Sequence, residues 1–436
     1  MVPRFNRRKF LVYGTATLGT SMLLKACGTP TDTATDAEAN GDSPAAANGN
    51  GDTIKVGILH SLSGTMAISE TTVVDAEQLA IKEINEAGGV LGRQIEAVVE
   101  DGASDWPTFA ERAEKLIDQD QVAVVFGCWT SASRKAVLPV FESKNHMLWY
   151  PVQYEGQECS QNIFYTGAAP NQQIEPAVDW LLENKGDEFF LVGSDFVFPR
   201  TANTIIKEQL EARGGTTVGE DYLPLGNTEV TPIITRIRAA LPDGGVIFNS
   251  LNGDSNVAFF KQLQGAGMDP DMYPVMSVSL AEEEVRQIGP EFLVGHLASW
   301  NYFQTVDTPE NERWVAAFKE EYGDDRVTND PMEAAYIMVY LWKQAVEAAG
   351  TFDIPEVRTA AYGQTMDAPE GPVTMNVNHH LSKTVRIGEV MEDGMFDILW
   401  ETDGPIDPEP WNQFVPETTG FACDWSDPER GERFEI

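Results

Sequence analysis

The stretch "VVFGCWTSASRKAVLPVFESKNHMLWYP", residues 124–151, carries the pattern that decides the fold. An apolar run is followed by a loop of small residues, a helical segment and a second apolar run that ends in Tyr-Pro. The stretch "VIFNSLNGDSNVAFFKQLQGAGMDPDMYP", residues 246–274, repeats the order of strand, small polar loop, helix and strand. The likeness indicates two lobes of similar plan, although the strand–loop–helix order common to all α/β proteins would also produce it.

Short apolar runs alternate with helical patterns along the rest of the chain. Three further strands are predicted at "IKVGIL" (54–59), "QIEAVVED" (94–101) and "FFLVG" (189–193), and "GVIFNS" (245–250) is the first strand of the second stretch. This alternation is typical of parallel sheets with crossover helices. Because single cores stop growing at about 250 to 300 residues, the sequence predicts an α/β protein of two domains.

The N-terminus predicts export. Residues 1–26 place a basic segment before the uncharged apolar stretch 10–24, as a secretory signal does. The pair of arginines in "NRRKFL" resembles a twin-arginine signal, and "LLKAC" ends as a lipoprotein cleavage site would, so Cys27 is the predicted lipid anchor. Residues 28–52 contain no large apolar side chain. With Cys27 they are predicted to form a disordered tether (27–52) that holds the globular body near a membrane.

Composition excludes several partners. The chain has 68 acidic and 30 basic residues and a formal net charge of −38. Without a basic stripe, nucleic acid and anionic lipid surfaces are poor partners, and a strongly anionic ligand would need a local cation pocket. Three cysteines besides Cys27, namely Cys128, Cys159 and Cys423, allow one disulfide at most, and the sequence does not select the pair.

The loop "GCWTSASRK" (127–135) could present Ser131 to a ligand, or it could be the nucleophile turn of a hydrolase. A serine hydrolase needs a histidine that a carboxylate orients, yet none of the five histidines stands in a recognised motif. No G-x-S-x-G, H-E-x-x-H or C-x-x-C spacing occurs. Cys128 is interpreted as packing, and His379–His380 as a surface loop. No catalytic residue, metal or cofactor is therefore predicted.

A ligand cleft is predicted where the strands end. In open α/β sheets, ligands bind at the carboxyl ends of strands. Facing lobes would place Trp129–Ser131 opposite Asn252–Asp254, with Asp195–Phe198 along the same edge. We expect some of the aromatic side chains near these strand ends to pack in the core and the others to form the walls around a small polar ligand. The aromatic residues concerned are Trp129, Trp149, Tyr150, Tyr154, Phe196 and Phe198.

At these residues the sequence resembles a known family. The segments "HSLSGTMAISE", "NEAGGVLGRQIE", "VVFGCWTSASRKAVLPVFE", "LWYPVQYEG", "APNQQ", "GSDFVFPR", "AAYIMVYLW" and "DAPEGPVTMN" together resemble the substrate-binding lipoproteins of bacterial urea ABC transporters. These form a branch of the type I periplasmic binding proteins, beside branched-chain amino acid binders and a short-chain amide sensor. The implied fold has two doubly wound, Rossmann-like lobes joined by three crossings. The expected lobes are residues 53–169 with 299–374 and residues 170–298 with 375–415, followed by an extension, 416–436.

The resemblance implies a urea receptor at the periplasmic face of the inner membrane, anchored by its lipid, that serves nitrogen uptake through an ABC permease and its ATPase subunits. Urea offers one carbonyl acceptor and four N–H donors, so its site needs several acceptors, at least one donor and flat walls. Branched-chain amino acids or short amides are the alternative ligands, with Arg134 and Asp254 as the candidate charge pair, and an exported amide hydrolase is the rival class. The resemblance assigns to the ligand Ser131, Tyr150, Val152, Gln153, Tyr154, Asp195, Phe196 and Phe198, and the strand-end argument adds Trp129 and Asp254.

Overall fold

The computed structural model describes residues 53–436. The predicted signal, lipid anchor and tether lie outside the described residues. The first part of the chain alternates strands and helices as the sequence predicts. Its elements are β1 Ile54–His60, α1 Ala67–Glu86, β2 Ile95–Asp101, α2 Trp106–Asp118, β3 Val125–Gly127, α3 Ser131–Lys144, β4 Leu148–Tyr150 and β5 Ile163–Tyr165.

The alternation continues through the middle of the chain. Its elements are a 3-10 turn Pro170–Gln172, α4 Ile174–Asn184, β6 Glu188–Ser194, α5 Val197–Arg213, β7 Thr216–Leu223, α6 Thr231–Ala240, β8 Val246–Ser250, α7 Asp254–Gly265, β9 Val275–Ser277, α8 Glu282–Ile288, a 3-10 turn Pro290–Phe292 and β10 Leu297–Trp300.

The last part adds helices and then antiparallel strands. Its elements are α9 Pro309–Tyr322, α10 Asp330–Ala349, α11 Ile354–Ala361, β11 Thr365–Ala368, β12 Gly371–Met375, β13 Leu381–Ser382, β14 Arg386–Val390, β15 Phe396–Glu401, β16 Phe421–Asp424 and β17 Gly431–Glu435. Among residues 53–436, no helix combines the length and the apolar character that crossing a membrane requires.

Two large sheets define two bodies. The five-stranded sheet, ordered β2-β1-β3-β4-β5, is parallel throughout, and we call the elements packed on it lobe 1. The seven-stranded sheet, ordered β15-β14-β10-β9-β8-β6-β7, is parallel from β7 to β10 and antiparallel at β14 and β15, and it defines lobe 2. This architecture confirms the predicted fold of two α/β lobes.

The chain passes between the lobes three times, after β5, after β10 and between β13 and β14. Strand β13 pairs with β12 in a three-stranded sheet, and β11 of that sheet packs on α9 and α10. The expected boundary at residues 374 and 375 therefore falls inside β12. We propose that the third crossing lies at residues 383–385 and the second just after Trp300.

Local sequence explains where the helices of lobe 1 begin and end. Asp105 caps α2 by accepting a hydrogen bond from the Thr108 backbone N–H at 3.0 Å. Helix α1 ends at Glu86, two residues before a pair of glycines whose φ angles, 110° and 80°, suit few other residues. Helix α10 then covers the sheet from a distant part of the chain, packing on α1 and β3. Trp342 in α10 meets Phe126 in β3 edge to face at 5.7 Å.

The structure corrects the prediction that His379–His380 is a surface loop. Both side chains are fully buried. The His379 ring stacks on Phe164 at 4.1 Å, and the His380 ring stacks on Tyr165 at 4.2 Å, so both rings are packed on β5. Burial lowers the pKa of each imidazole to about 3, which makes both neutral.

Two further details differ from the sequence interpretation. The Tyr-Pro pair at residues 273–274 precedes strand β9, whereas the pair at residues 150–151 ends and follows β4. The likeness of the two stretches therefore covers the strand, loop and helix but not the second strand. The predicted extension forms the β16–β17 hairpin, which a disulfide between Cys159 and Cys423 ties to lobe 1, while Cys128 remains a free, buried thiol.

Candidate ligand cleft

The lobes touch each other at the strand ends where the sequence predicts a cleft. Gln153, after β4 in lobe 1, donates from Nε2 to the Val278 carbonyl oxygen at 2.7 Å and to the Ser279 hydroxyl at 3.2 Å, both after β9 in lobe 2. Helix α3 of lobe 1 also lies against α5 of lobe 2. The lobes are therefore in contact across the cleft, as in a closed binding protein.

Ser131 occupies the first position of α3. Strand β3 ends at Gly127, and Cys128 follows with φ 65°, which turns the chain toward the helix. The Thr130 side chain caps α3 by accepting from the Ser133 backbone N–H at 3.0 Å. The Ser131 hydroxyl donates to a carboxylate oxygen of Glu155 and accepts from Arg134 Nη1 at 2.9 Å. Ser131 thus belongs to a buried polar network at the cleft edge.

Arg134 is the centre of this network. Its guanidinium is fully buried and lies 3.1 Å from a Glu155 oxygen and 2.7 Å from a Glu158 oxygen. The same group lies over the rings of Tyr150 and Tyr154, with centroids 4.9 and 4.8 Å away. Although burial alone would raise the pKa of Glu158, the attraction of Arg134 and of the neighbouring lysine lowers it to about 2. Arg134 is accordingly a paired cation within the scaffold of lobe 1.

Tyr150 and Tyr154 have different surroundings despite their spacing. The Tyr150 hydroxyl donates to the Trp129 carbonyl oxygen, which joins the end of β4 to the Ser131 loop. The Tyr154 hydroxyl lies 2.9 Å from the Glu158 carbonyl oxygen and 2.6 Å from His380 Nε2. Burial raises the pKa of both phenols, so each is neutral. Tyr150 is therefore at the loop, whereas Tyr154 lies in the core beneath Arg134.

Gln153 leaves an acceptor unused. Its side chain is 3% exposed, and its Nε2 makes the two cross-lobe hydrogen bonds. Its Oε1 has no hydrogen-bond partner in the part of the chain that the structure describes. A buried acceptor without a partner costs about 1–3 kcal/mol, so a donor from a ligand would be stabilising there. Val152, beside it, is buried and presents only an apolar surface.

The predicted residues of lobe 2 are spread out. Phe196 is half-buried and approaches Trp106 of lobe 1, with ring centroids 6.4 Å apart. Phe198 is packed in the core of lobe 2. Asp195 pairs with Arg200 at 2.6 Å at the surface. The remaining predicted residue, Asp254, is exposed at the start of α7.

The 252–254 loop of lobe 2 has contacts in lobe 1 that the sequence does not predict. Gly253, in the 252–254 loop, lies against the loop after β1, because a Cβ added there would come within 2.7 Å of the Thr65 carbonyl oxygen and 3.3 Å of Met66 Sδ. The 252–254 loop therefore faces Thr65 and Met66. The Ser131 loop leads into α3, which faces α5.

The rival hydrolase lacks the expected contacts around Ser131. The Ser131 hydroxyl is bonded to Glu155 and Arg134, with no imidazole as its partner. His60, at the end of β1, lies instead between Glu70 at 3.3 Å and Glu77 at 2.9 Å. Burial raises the pKa of Cys128, which disfavours its nucleophilic thiolate.

Sequence reasoning missed two sets of residues. Glu155 lies in the quoted segment "LWYPVQYEG", but nothing in that segment shows its contact with Ser131. Ser69 and Glu284 join α1 to α8 across the lobes, with Ser69 Oγ donating to Glu284 over 2.6 Å. Neither residue stands in a motif, so only the tertiary structure reveals the pair.

A family model described as "Periplasmic binding protein domain" matches residues 54–417. The chain belongs to the periplasmic binding protein family. It is 26% identical over 326 residues to the leucine-, isoleucine-, valine-, threonine- and alanine-binding protein of Pseudomonas aeruginosa, covering 73% of this chain and 85% of that protein. It is 25% identical over 364 residues to a Leu/Ile/Val-binding protein homologue of Brucella melitensis, covering 81% and 92%.

Solved structures show the same type I fold. One of them is a solute-binding protein of an ABC transporter from R. palustris, in complex with 4-hydroxybenzoate. It superposes with a TM-score of 0.72 at 24% sequence identity, and the superposition covers 83% of this chain and 99% of that protein's chain. Another is the branched-chain amino acid transporter substrate-binding protein of Streptococcus pneumoniae, in complex with isoleucine. Its TM-score is 0.70 at 21% sequence identity, and the superposition covers 81% of this chain and 100% of that chain.

A shorter match involves a limonene hydroxylase of Geobacillus stearothermophilus, 35% identical over 123 residues. It covers 28% of this chain and only 23% of that protein, so it carries no catalytic assignment. The family match and the long relatives identify the chain as a periplasmic binding protein. A periplasmic binding protein works outside the cytoplasm.

Proposed function

We propose that the protein is the solute-binding component of an ABC transporter, working with a permease and an ATPase, and that its solute is urea, bound in the cleft between the lobes. The observation that carries this proposal is the pairing of Arg134. Its charge is neutralised by Glu155 and Glu158, both within 3.1 Å, so the cation beside Ser131 is not free for a ligand carboxylate. A neutral ligand suits such a site better than an anionic one.

The polar groups at the cleft edge also suit an N–H-rich ligand. Gln153 Oε1 is a buried acceptor without a partner among residues 53–436. The Ser131 hydroxyl, already donating to Glu155, keeps a lone pair that can accept. Trp129, two residues before Ser131, and Phe196, which approaches Trp106 of the other lobe, provide apolar surface. Urea has four N–H donors for acceptors of this kind and a planar body for the flat walls.

Branched-chain amino acids are the second candidate, and the names of the long relatives favour them more directly than urea. An amino acid zwitterion needs a partner for its carboxylate and another for its ammonium. The candidate pair from the sequence, Arg134 and Asp254, does not supply them, because Arg134 is paired and buried while Asp254 is exposed in the other lobe. A short amide would make the same contacts as urea.

The lipid anchor at Cys27 and the twin-arginine signal belong to the same proposal. They are supported by the order of charge, apolar stretch and cleavage site in the sequence alone.

Titration calorimetry of the protein without its signal tests the ligand. We expect heat on adding urea, weaker or no heat with leucine and isoleucine, and no ammonia released from urea. Acetamide and 4-hydroxybenzoate complete the panel. Saturable binding of leucine without binding of urea would overturn the urea proposal in favour of the second candidate, and sustained ammonia release would favour the hydrolase.

A further inference from the structure

We infer that Glu155 and Arg134 together fix the Ser131 hydroxyl as a hydrogen-bond acceptor toward the cleft, and that this polarity selects ligands with an N–H group over ligands with a carboxylate at that position. Glu155 and Arg134 would then be positioning residues that determine specificity through Ser131. The inference rests on the proposed function, since it assumes that Ser131 contacts the ligand.

The Ser131 hydroxyl group can form only a limited set of hydrogen bonds. A serine hydroxyl has one proton to donate and two lone pairs that accept. At Ser131 the proton is directed to a Glu155 oxygen. One lone pair accepts from Arg134 Nη1 at 2.9 Å. Only one lone pair is left, so a ligand atom at Ser131 must be a donor.

The surroundings hold this arrangement in place. Glu155 is 1% exposed and lies 3.1 Å from Arg134 Nη2, so its carboxylate is held on the guanidinium. Lys135 adds a second cation, 3.9 Å from the same carboxylate. Arg134 has no acceptor atom and cannot reverse its role, while Glu158 at 2.7 Å fixes its other edge. The hydroxyl can therefore turn its proton outward only by giving up a charge-assisted hydrogen bond.

The backbone at the same place offers the opposite polarity. Thr130 accepts from the N–H groups of Ser133 and Arg134 through its side chain and its carbonyl oxygen. The N–H groups of Ser131 and Ala132 belong to the first turn, where an α-helix has no internal acceptor. A carboxamide could place its oxygen at these donors and its N–H at the Ser131 hydroxyl. A carboxylate would match the donors but would direct its second oxygen at a lone pair.

The variant Glu155→Gln tests the inference because it should reverse the polarity. Arg134 can only donate, so the glutamine oxygen should stay on the guanidinium and its NH₂ group should turn to Ser131. The hydroxyl would then accept twice within the protein and donate outward. We expect the acetamide-to-acetate ratio of binding constants to fall by about 10-fold to 100-fold, the effect of one mismatched hydrogen bond.

Glu158→Gln is the matched control. It removes one carboxylate charge from the same guanidinium but does not touch Ser131, so it measures the effect of the lost charge alone, and its acetamide-to-acetate ratio should fall clearly less than that of Glu155→Gln. Ser131→Ala provides a second test that does not depend on how Glu155→Gln folds: it should weaken acetamide while leaving acetate unchanged or slightly stronger. Thermal melting shows which variants are folded.

Three outcomes would overturn the inference: an unchanged ratio in folded Glu155→Gln, an equal fall in Glu155→Gln and Glu158→Gln, or a larger loss of acetate than of acetamide in Ser131→Ala. A wild-type protein that binds neither urea nor acetamide would instead overturn the proposed function. In that case leucinamide and leucine replace acetamide and acetate, and a wild-type preference for leucine over leucinamide would overturn the assigned polarity as well.

Discussion

Ser69 in lobe 1 donates a hydrogen bond to Glu284 in lobe 2 over 2.6 Å, and both side chains are buried where α1 meets α8. Burial raises the pKa of the Glu284 carboxyl to about 7, although Ser69 and backbone N–H groups oppose the shift. Closure therefore favours a protonated Glu284, whereas an open cleft would hydrate the ionised form.

The first prediction is that ligand affinity depends on pH through Glu284. In the open state the solvated Glu284 carboxyl loses its proton above its ordinary pKa of 4.5, whereas in the closed state it keeps the proton up to about pH 7. The favourable contribution of Glu284 to ligand binding is therefore complete below about pH 4.5 and is lost as the pH rises through about 7. Affinity should fall by up to about tenfold per pH unit until the closed-state carboxyl ionises. Calorimetry from pH 5 to 8.5 measures it. Glu284→Gln should flatten the dependence of affinity on pH. Glu283→Gln is the control: it loses an ion pair with Arg286 at 2.7 Å and should keep the wild-type dependence.

The second prediction concerns Gly253 as a contact of the closed state. An alanine Cβ there would lie 2.7 Å from the Thr65 carbonyl oxygen of the other lobe. Gly253→Ala should therefore oppose closure and weaken binding at least about tenfold. Small-angle scattering should show compaction of the wild type on saturation with urea and less compaction of the variant.

Gly267→Ala controls for backbone strain in that experiment. Gly267 also has a positive φ, 68°, but an added Cβ meets nothing within 4 Å. It should lower stability without changing affinity or compaction. A wild-type radius that stays constant on saturation would contradict closure itself.

The third prediction concerns the disulfide between Cys159 and Cys423, which are 264 residues apart in the chain. Closing so long a loop restricts the unfolded chain and is worth up to roughly 5 kcal/mol in the chain-entropy model. Cys423→Ser should lower the melting temperature, and a reducing agent should lower that of the wild type only. Equal melting of wild type and variant would show that the β16–β17 hairpin is held by packing alone.

The fourth prediction concerns the anchor at Cys27. Cys27→Ser should release the processed protein from membranes, because the proposed lipid holds the mature form in place. Fractionation of cells followed by immunodetection measures this. A variant that remains in the membrane fraction after signal cleavage would contradict the lipoprotein proposal.

The elements that the sequence predicts best are those whose signal is local. Strand β1 is predicted by its apolar run, and helix α2 by its helical spacing of apolar residues and by the proline in its first turn, all within a few residues of the element. His379 and His380 show the limit of such signals. An adjacent polar pair indicates a surface loop by itself, but these rings stack on Phe164 and Tyr165, more than 200 residues earlier in the chain.

The site shows the same division. The loop that carries Ser131 could be located because a strand, small residues and a helix follow each other in the sequence. The partner of its hydroxyl could not, because Glu155 reaches Ser131 only when β4 lies beside β3 in the sheet. The pairing of Arg134 with Glu155 and Glu158, on which the proposal of a neutral ligand rests, could not be predicted either, because the sequence shows the arginine without showing its partners.

Helix α10 closes the core of lobe 1 from the far end of the chain, with Trp342 against Phe126. During synthesis, residues 54–165 therefore leave the ribosome with one face of their sheet uncovered until about 180 further residues have been added. The strands from β6 to β10, by contrast, are contiguous in the chain with their helices. The β6–β10 part of lobe 2 should accordingly acquire protease resistance before lobe 1 on a growing chain, although the sheet of lobe 1 is translated first and β14 and β15 join the edge of lobe 2 last.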